Sequence, residues 1–323
     1  MKKIIYFMVL FFVVPCGVVF VASCFTDQIQ IGYKKPSIEQ FHSGINVLVE
    51  RDGLYKNIDL EEYVLGVLPN AIPANYHEET LKAQAILIRT NAVREMNQKN
   101  TNDAEQLSYQ YLTVNERKEL FGEVNAKKME EKMQKAVMET AGQVLSQNDV
   151  LIMAAYHEIS MGKTASANEI LGKEIPYLQS VDSSQDVEAK AYMSEKIYLW
   201  KQINGLLEQE QQGNNKVTIQ ILESSKNGYV QKVKVGKNEM SGEETMRLFD
   251  LASTNFYIEE QGNGIKFVCL GKGNGMGLSI YGANYMAQQG STYKEILDYY
   301  YQNVSITDCK KMKSEPSTMQ ENP

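Results

Sequence analysis

The sequence predicts an α+β domain of mixed helices and antiparallel strands, with an N-terminal transmembrane helix. Three observations lead to the α+β class and the helix. Strand and helix patterns are mixed without the strand–helix–strand rhythm of a doubly wound sheet. Several runs alternate apolar and polar residues and are joined by turn residues, which is the hairpin pattern. Residues 4–25 carry no charge over a length that crosses a hydrocarbon core of about 30 Å.

Lys2 and Lys3 precede that run, so the N-terminus is expected in the cytoplasm and the body outside it. Pro15 and Gly17 are tolerated in such a helix. A cleaved signal peptide has the same polarity. "VASC", ending at Cys24, also has the form of a lipobox, which would give a lipoprotein. All three readings export the body, and a single-pass anchor in the cell membrane is the leading one. The expected organisation is 1–25 anchor or signal, 26–45 linker, 46–306 domain and 307–323 polar tail.

The 323 residues are 43% hydrophobic and 23% charged, a globular composition with enough apolar material for a core without staples. A net charge of −7 argues against nucleic acid, which selects a basic face. Cys16 and Cys24 lie in the apolar segment. Cys269 and Cys309 lie in the body, where export permits a disulfide between them; a buried thiol plus a tail thiol is the other reading. His42, His77 and His157 show no metal-ligand spacing, and no metal or cofactor is expected.

The elements follow in order. "INVLVERDGLYKNIDLEEYVLGVL" reads as a hairpin turning at Gly53 and leading into a short helix. The next helix spans 75–97, with Asn75 as N-cap and Glu78 completing a capping-box-like pair. Leu81, Ala85, Ile88 and Ala92 define its buried stripe. After a polar loop over 97–107, a helix over 115–140 turns Met129, Met133, Ala136, Val137 and Thr140 to the core. "QVLSQNDVLIMAAYH" forms a hairpin turning at Asn148 and Asp149. Residues 191–212 read as helix and then polar chain. Val217, Ile219 and Ile221 alternate against Val230, Val233 and Val235, with Asn227 and Gly228 supplying a positive-φ turn. "IKFVCL" is a strand. Two short helices close the domain over 280–288 and 292–302, separated by Gly290, with Thr292 and Glu295 as a capping box.

"GKGNGMGLSIYGA" sets Gly271, Gly273, Gly275 and Gly277 at alternate positions. It fits neither the dinucleotide fingerprint nor the P-loop. Alternate glycines on an extended strand leave one face bare, for a neighbouring strand, a helix or a flat sugar ring.

These segments together resemble the stage II sporulation protein D family, the SpoIID/LytB domain. "LEEYVLGVLPNAIPANYHEETLKAQAILIRT" is its opening signature. "YHEISMGKTASANEILGKEIPYLQSVDSSQD" is its middle block, with Tyr156, His157, Ser160, Gly162, Thr164, Pro176, Tyr177 and Leu178 in place. "LFDLASTNFYI" and the glycine segment are the last two blocks. The resemblance implies work on peptidoglycan: some members are lytic transglycosylases that cut glycan strands stripped of stem peptides during sporulation, and others enhance a wall amidase. In the cutting members, a glutamate within Glu-Met-Pro acts as the acid. Here that triplet is Ala71-Ile72-Pro73. Glycoside cleavage needs a proton at the leaving oxygen, and a methyl group cannot supply one. The family's Gly-His-Gly reads Gly273-Asn274-Gly275, its glutamine is Ile280, and its paired glycine is Met161-Gly162.

The resemblance assigns Arg89, Tyr156, His157, Ser160, Gly162, Thr164, Gly273, Asn274, Gly275 and Tyr281 to ligand binding, with Arg89 open to a fold-locking role. Glu78 and Glu79 belong to the helix start and its dipole. Glu158 is the candidate for a displaced acid. The expected function is non-catalytic binding of peptidoglycan glycan strands or of a partner wall hydrolase. The alternatives are a lytic transglycosylase with a displaced acid, and a structural module that contacts an amidase or other sporulation membrane proteins.

Overall fold

A computed structural model describes residues 41–51, 54–207 and 215–312. The expected anchor 4–25, including Pro15, Gly17, Cys16 and Cys24, lies outside them, as do most of the tether, Gly53 and the end of the tail. Among the described residues, no helix is long and apolar enough to cross a membrane.

The mixed α+β architecture is present, with its residues in two hydrophobic clusters. The larger begins with strands β1 (Asn46–Arg51) and β2 (Leu54–Asp59), paired antiparallel with Val47 opposite Ile58. The Asp59 carboxylate accepts the Glu61 N–H at 2.9 Å and caps helix α1 (Leu60–Ala71). Helix α2 (Glu78–Lys99) follows, then α3 (Val114–Phe121) and α4 (Glu123–Glu139). Strands β3 (Gln143–Gln147) and β4 (Val150–Leu151) form the expected hairpin, with Asn148 at φ 52° and Asp149 at φ 63°. Two left-handed residues in a row are what a type I′ turn requires. From the C-terminal end come helices α8 (Ile280–Gln288) and α9 (Tyr293–Tyr300), and strand β13 (Ser305–Asp308) pairs with β3. Phe41 and Cys309, which flank these elements in the chain, are both buried.

Helix α2 is the centre of this cluster. Leu81, Ala85, Ile88 and Ala92 are buried as the stripe predicts, but so are Ala83, Ile86 and Leu87. A helix buried on all sides has neighbours all round; here they include α1, α4, β3, α8 and α9. Its start differs from expectation. The cap is His77, whose Nδ1 accepts the Glu79 N–H at 3.3 Å, in place of Asn75. The cause is tertiary: the His77 N–H donates to Asn284 Oδ1 at 2.7 Å, and Tyr76 closes a turn onto Pro73. The single helix expected over 115–140 is two, divided at Gly122 (φ 72°). Met133, Ala136, Val137 and Thr140 face the core, and Met129 is half-buried.

The smaller cluster joins two three-stranded antiparallel sheets. One holds β10 (Phe256–Gln261), β11 (Gly264–Leu270) and β6 (Met193–Leu199), in that order. The other runs β7 (Ile219–Ser224), β8 (Val230–Val235), β9 (Asn238–Ser241). Helices α6 (Trp200–Leu206) and α7 (Gly242–Leu248) flank them; the short helix α5 (Ala167–Leu171) comes earlier in the chain. The helix expected from residue 191 is thus a strand as far as Leu199. "MSEKIYL" has period-two alternation, and pairing with β11 overrides its helical propensity. At the 217–235 hairpin only Gly228 is left-handed (φ 82°). Ser225 bonds Gly228 and Tyr229, which makes a three-residue loop with a bulge glycine instead of a two-residue turn. Cys269 is buried in this cluster and Cys309 in the larger one, both as free thiols, so the Cys269–Cys309 disulfide is not formed.

Candidate functional site

The chain passes from β11 to α8 through the glycine segment, and in doing so joins the two clusters. Its last two residues before α8, β12 (Leu278–Ser279), pair in parallel with β5 (Tyr156–His157). All four alternating glycines have positive φ, from 74° to 101°, while Lys272, Asn274 and Met276 between them do not, so the segment is not a regular extended strand. Their bare faces are filled by protein. A Cβ on Gly277 would be driven into the Ala155 carbonyl, one on Gly273 into His157, one on Gly271 into the 159–160 backbone, and one on Gly275 into the Tyr229 ring. Of the occupants considered from sequence, the neighbouring chain holds this face. Gly273 and Gly275 are also tied by backbone bonds, Gly273 N–H to Ala252 and Ala165 N–H to Gly275.

Most of the remaining predicted ligand residues are structural in their visible contacts. Arg89 is 0% exposed. Its Nε and Nη2 bind the Glu61 carboxylate at 2.9 and 2.5 Å, and Nη1 donates to the Gln143 carbonyl at 3.0 Å. Every guanidinium nitrogen is engaged, so Arg89 locks α1, α2 and β3 together and does not reach a ligand. Thr164 Oγ1 is buried and accepts the Val181 N–H. Ser160 Oγ accepts the Gly162 N–H at 3.1 Å, and Gly162 (φ 105°) in turn accepts from Ser183. Tyr156 stacks on Tyr109, and burial pushes its phenol pKa up. Asn274, in place of the family's histidine, donates to Glu243 at 2.9 Å.

His157 is buried and its Nδ1 lies 3.1 Å from the Met276 carbonyl. A carbonyl only accepts, so the ring proton sits on Nδ1. Nε2 then carries a bare lone pair, with no partner among the described residues. Burial pulls the His157 pKa down to about 4, against a small upward pull from Met276, which makes it a neutral ring at ordinary pH.

Sequence reasoning passed over Asp186. This carboxylate is buried beside the β5–β12 pair, where Oδ2 accepts from the Ser160 N–H at 2.7 Å and the Ser279 hydroxyl at 2.6 Å. Burial raises its pKa, opposed by hydrogen bonds from Ser279, Ser160 and Ser183. At 0% exposure it ties three segments together. No spacing signal could have found it, because its partners lie far away in sequence.

Ala71 is the last residue of α1 and half-buried. Glu78 and Glu79 are held by Lys135 and Lys82, and Glu79 also accepts the Tyr293 N–H at 2.8 Å, in agreement with their structural reading. Glu158 is 38% exposed and forms a 2.6 Å ion pair with Lys272, itself 49% exposed. Tyr281 and Tyr76 are half-buried nearby. Burial, then Glu158, Tyr281 and Asp186 in that order, push the Tyr76 pKa up, so these groups share one neighbourhood.

Comparisons with known proteins bear on this geometry. The family model for the stage II sporulation protein SpoIID matches residues 50–146. A stage II sporulation protein D of Bacillus amyloliquefaciens is 29% identical over 283 residues, covering 85% of this chain and 82% of the relative. The protein of that name from Bacillus subtilis (strain 168) is 31% identical over 262 residues, covering 79% and 76%. An amidase enhancer of the same strain is 25% identical over 295 residues, covering 75% of this chain and 40% of the relative.

Proposed function

The chain belongs to the SpoIID family of stage II sporulation proteins, and from that premise we propose that it is a membrane-anchored, non-catalytic member that binds the glycan strands of peptidoglycan. One observation carries the reading: where the family's motif places a carboxylic acid, this chain ends α1 with the methyl group of Ala71. Glycosidic cleavage needs a proton delivered to the departing oxygen. The carboxylates near that point are committed elsewhere, Glu78 and Glu79 to lysines and Asp186 to the interior. Glu158 is paired with Lys272. The uncharged apolar run over residues 4–25 supports a membrane-anchored, wall-facing location. Binding is tested by sedimenting the full-length protein with purified peptidoglycan. The protein is expected in the pellet, with no sugar released into the supernatant. Recovery only in the supernatant would count against it.

A second reading has its own support in the resemblance to an amidase enhancer. In that case the domain acts on a wall amidase and not on the strand. Peptide release by a purified amidase would then rise when this protein is added, and would be unchanged if the strand is the ligand. A displaced acid is the remaining alternative. It requires sugar release that Glu158→Gln abolishes.

A further inference from the structure

One sheet of the smaller cluster has an open side. In the order β10–β11–β6, β6 is an edge strand. The Gly271 N–H donates to the Tyr192 carbonyl just before β6, and the Trp200 N–H donates to the Asn263 carbonyl just after it. Bonded pairs alternate along an antiparallel ladder, so the even-numbered residues of β6 bond β11. Met193, Glu195, Ile197 and Leu199 turn their N–H and C=O groups the other way. The Leu199 N–H is taken by Gln202 Oε1 at 2.9 Å. Among the described residues, no backbone group pairs with Met193, Glu195 or Ile197 on that side. The same residues present their side chains to solvent: Met193 is 59% exposed, Ile197 55% and Leu199 44%. Tyr198, of the alternate set, packs on Phe249 and Phe267 in the core.

Edge strands are ordinarily blunted by short length, proline, a bulge or an outward lysine. β6 has seven residues and no proline, and its register with β11 is unbroken from Met193 to Leu199. Its one lysine, Lys196, belongs to the other face and is bound to Asp250. The charge on the open face is one-sided. Lys266, opposite Ile197 on β11, binds Glu195 at 3.2 Å and Glu259 at 2.7 Å. Two carboxylates against one ammonium leave a net negative centre between Met193 and Ile197. We infer that the β6 edge receives an extended segment of a partner protein as a further antiparallel strand, with a basic residue opposite Glu195 and apolar residues opposite Met193 and Ile197. This goes beyond the glycan-binding reading and does not depend on it. In strand addition, main-chain bonds supply the adhesion and alternate side chains supply the choice of sequence. Opposite charges facing each other across two strands attract, and like charges repel.

The test is calorimetric titration of the full-length protein with the end-blocked peptide Thr-Val-Thr-Lys-Thr-Val-Thr. Its valines and lysine share one face and match Ile197, Glu195 and Met193. Binding is expected. Exchanging the lysine for glutamate should weaken it about fivefold at low salt, and added salt should narrow that gap. Methylating the lysine amide, which would point at β6, should abolish binding. Methylating a neighbouring threonine amide, which would point away, should not. Ile197→Pro removes an N–H that faces solvent in the free protein, so it is expected to fold, as its thermal midpoint will show, and to lose the peptide. No binding at about 1 mM peptide, equal affinity for the lysine and glutamate peptides, or equal loss from the two methylations would overturn the inference. A concentration-dependent dimer of the wild type that Ile197→Pro abolishes would overturn it as well, by giving the edge to a second copy of the chain.

Discussion

Arg89 and Glu61 show how far a side chain's role depends on its surroundings. Both are buried, and their guanidinium–carboxylate pair spans two helices. Removing one partner of such a pair strands a buried charge and costs roughly 3–5 kcal/mol. Arg89→Ala should therefore lower the unfolding free energy by about that amount in urea titration. Glu61→Leu combined with Arg89→Met should recover most of the loss. His157 gives a pH signature. Its folded pKa of about 4 lies below the ordinary 6.5. The unfolded chain thus takes the proton first as acid is added, so this group's stability contribution is present above pH 6.5 and is lost as the pH falls towards 4. The loss is about 3 kcal/mol in all. Asp186, with its raised pKa, acts in the opposite sense. The difference between wild type and His157→Gln isolates the histidine: the variant's stability should fall less steeply from pH 6.5 to 4 in denaturant titrations at fixed pH values.

At the scale of elements, the glycine segment is the joint of the molecule. Gly277 is left-handed and abuts the Ala155 carbonyl, whereas Gly290 is left-handed (φ 98°) in open space. Gly290→Ala should cost about 1 kcal/mol of backbone strain. Gly277→Ala adds a collision that β5 must yield to, and should cost about 3 kcal/mol or more. Equal thermal shifts for the two variants would contradict the packing described. Much of this scale was legible in sequence where the cause is local. The turn at Asn148 and Asp149, the Thr292–Glu295 box and the α4 stripe depend on neighbours a few residues away. Two of the misreadings have distant causes. His77 displaces Asn75 as cap because of Asn284, 207 residues on. β6 is a strand because β11 pairs with it. The candidate site divides in the same way: the family motif located Ala71 and Tyr281, but Asp186, Tyr76 and Lys272 gained their meaning only from chain segments the fold brings together.

For the whole molecule, the two hydrophobic clusters each hold one free buried thiol, Cys269 and Cys309. Burial raises both pKa values and slows attack by thiol reagents. Both should react only after unfolding, and a reductant should leave the thermal midpoint unchanged. A Cys269–Cys309 linkage detected by peptide mass mapping would contradict this. The central claim concerns a domain that keeps the family's scaffold without the family's proton donor. It is tested most directly by incubating full-length wild type and Ala71→Glu with glycan strands freed of stem peptides, and measuring anhydro-sugar ends by mass spectrometry. The account predicts no release by wild type and measurable release by Ala71→Glu, since a placed acid contributes about 10²–10⁴-fold. Release by wild type at a rate matching the variant would contradict it.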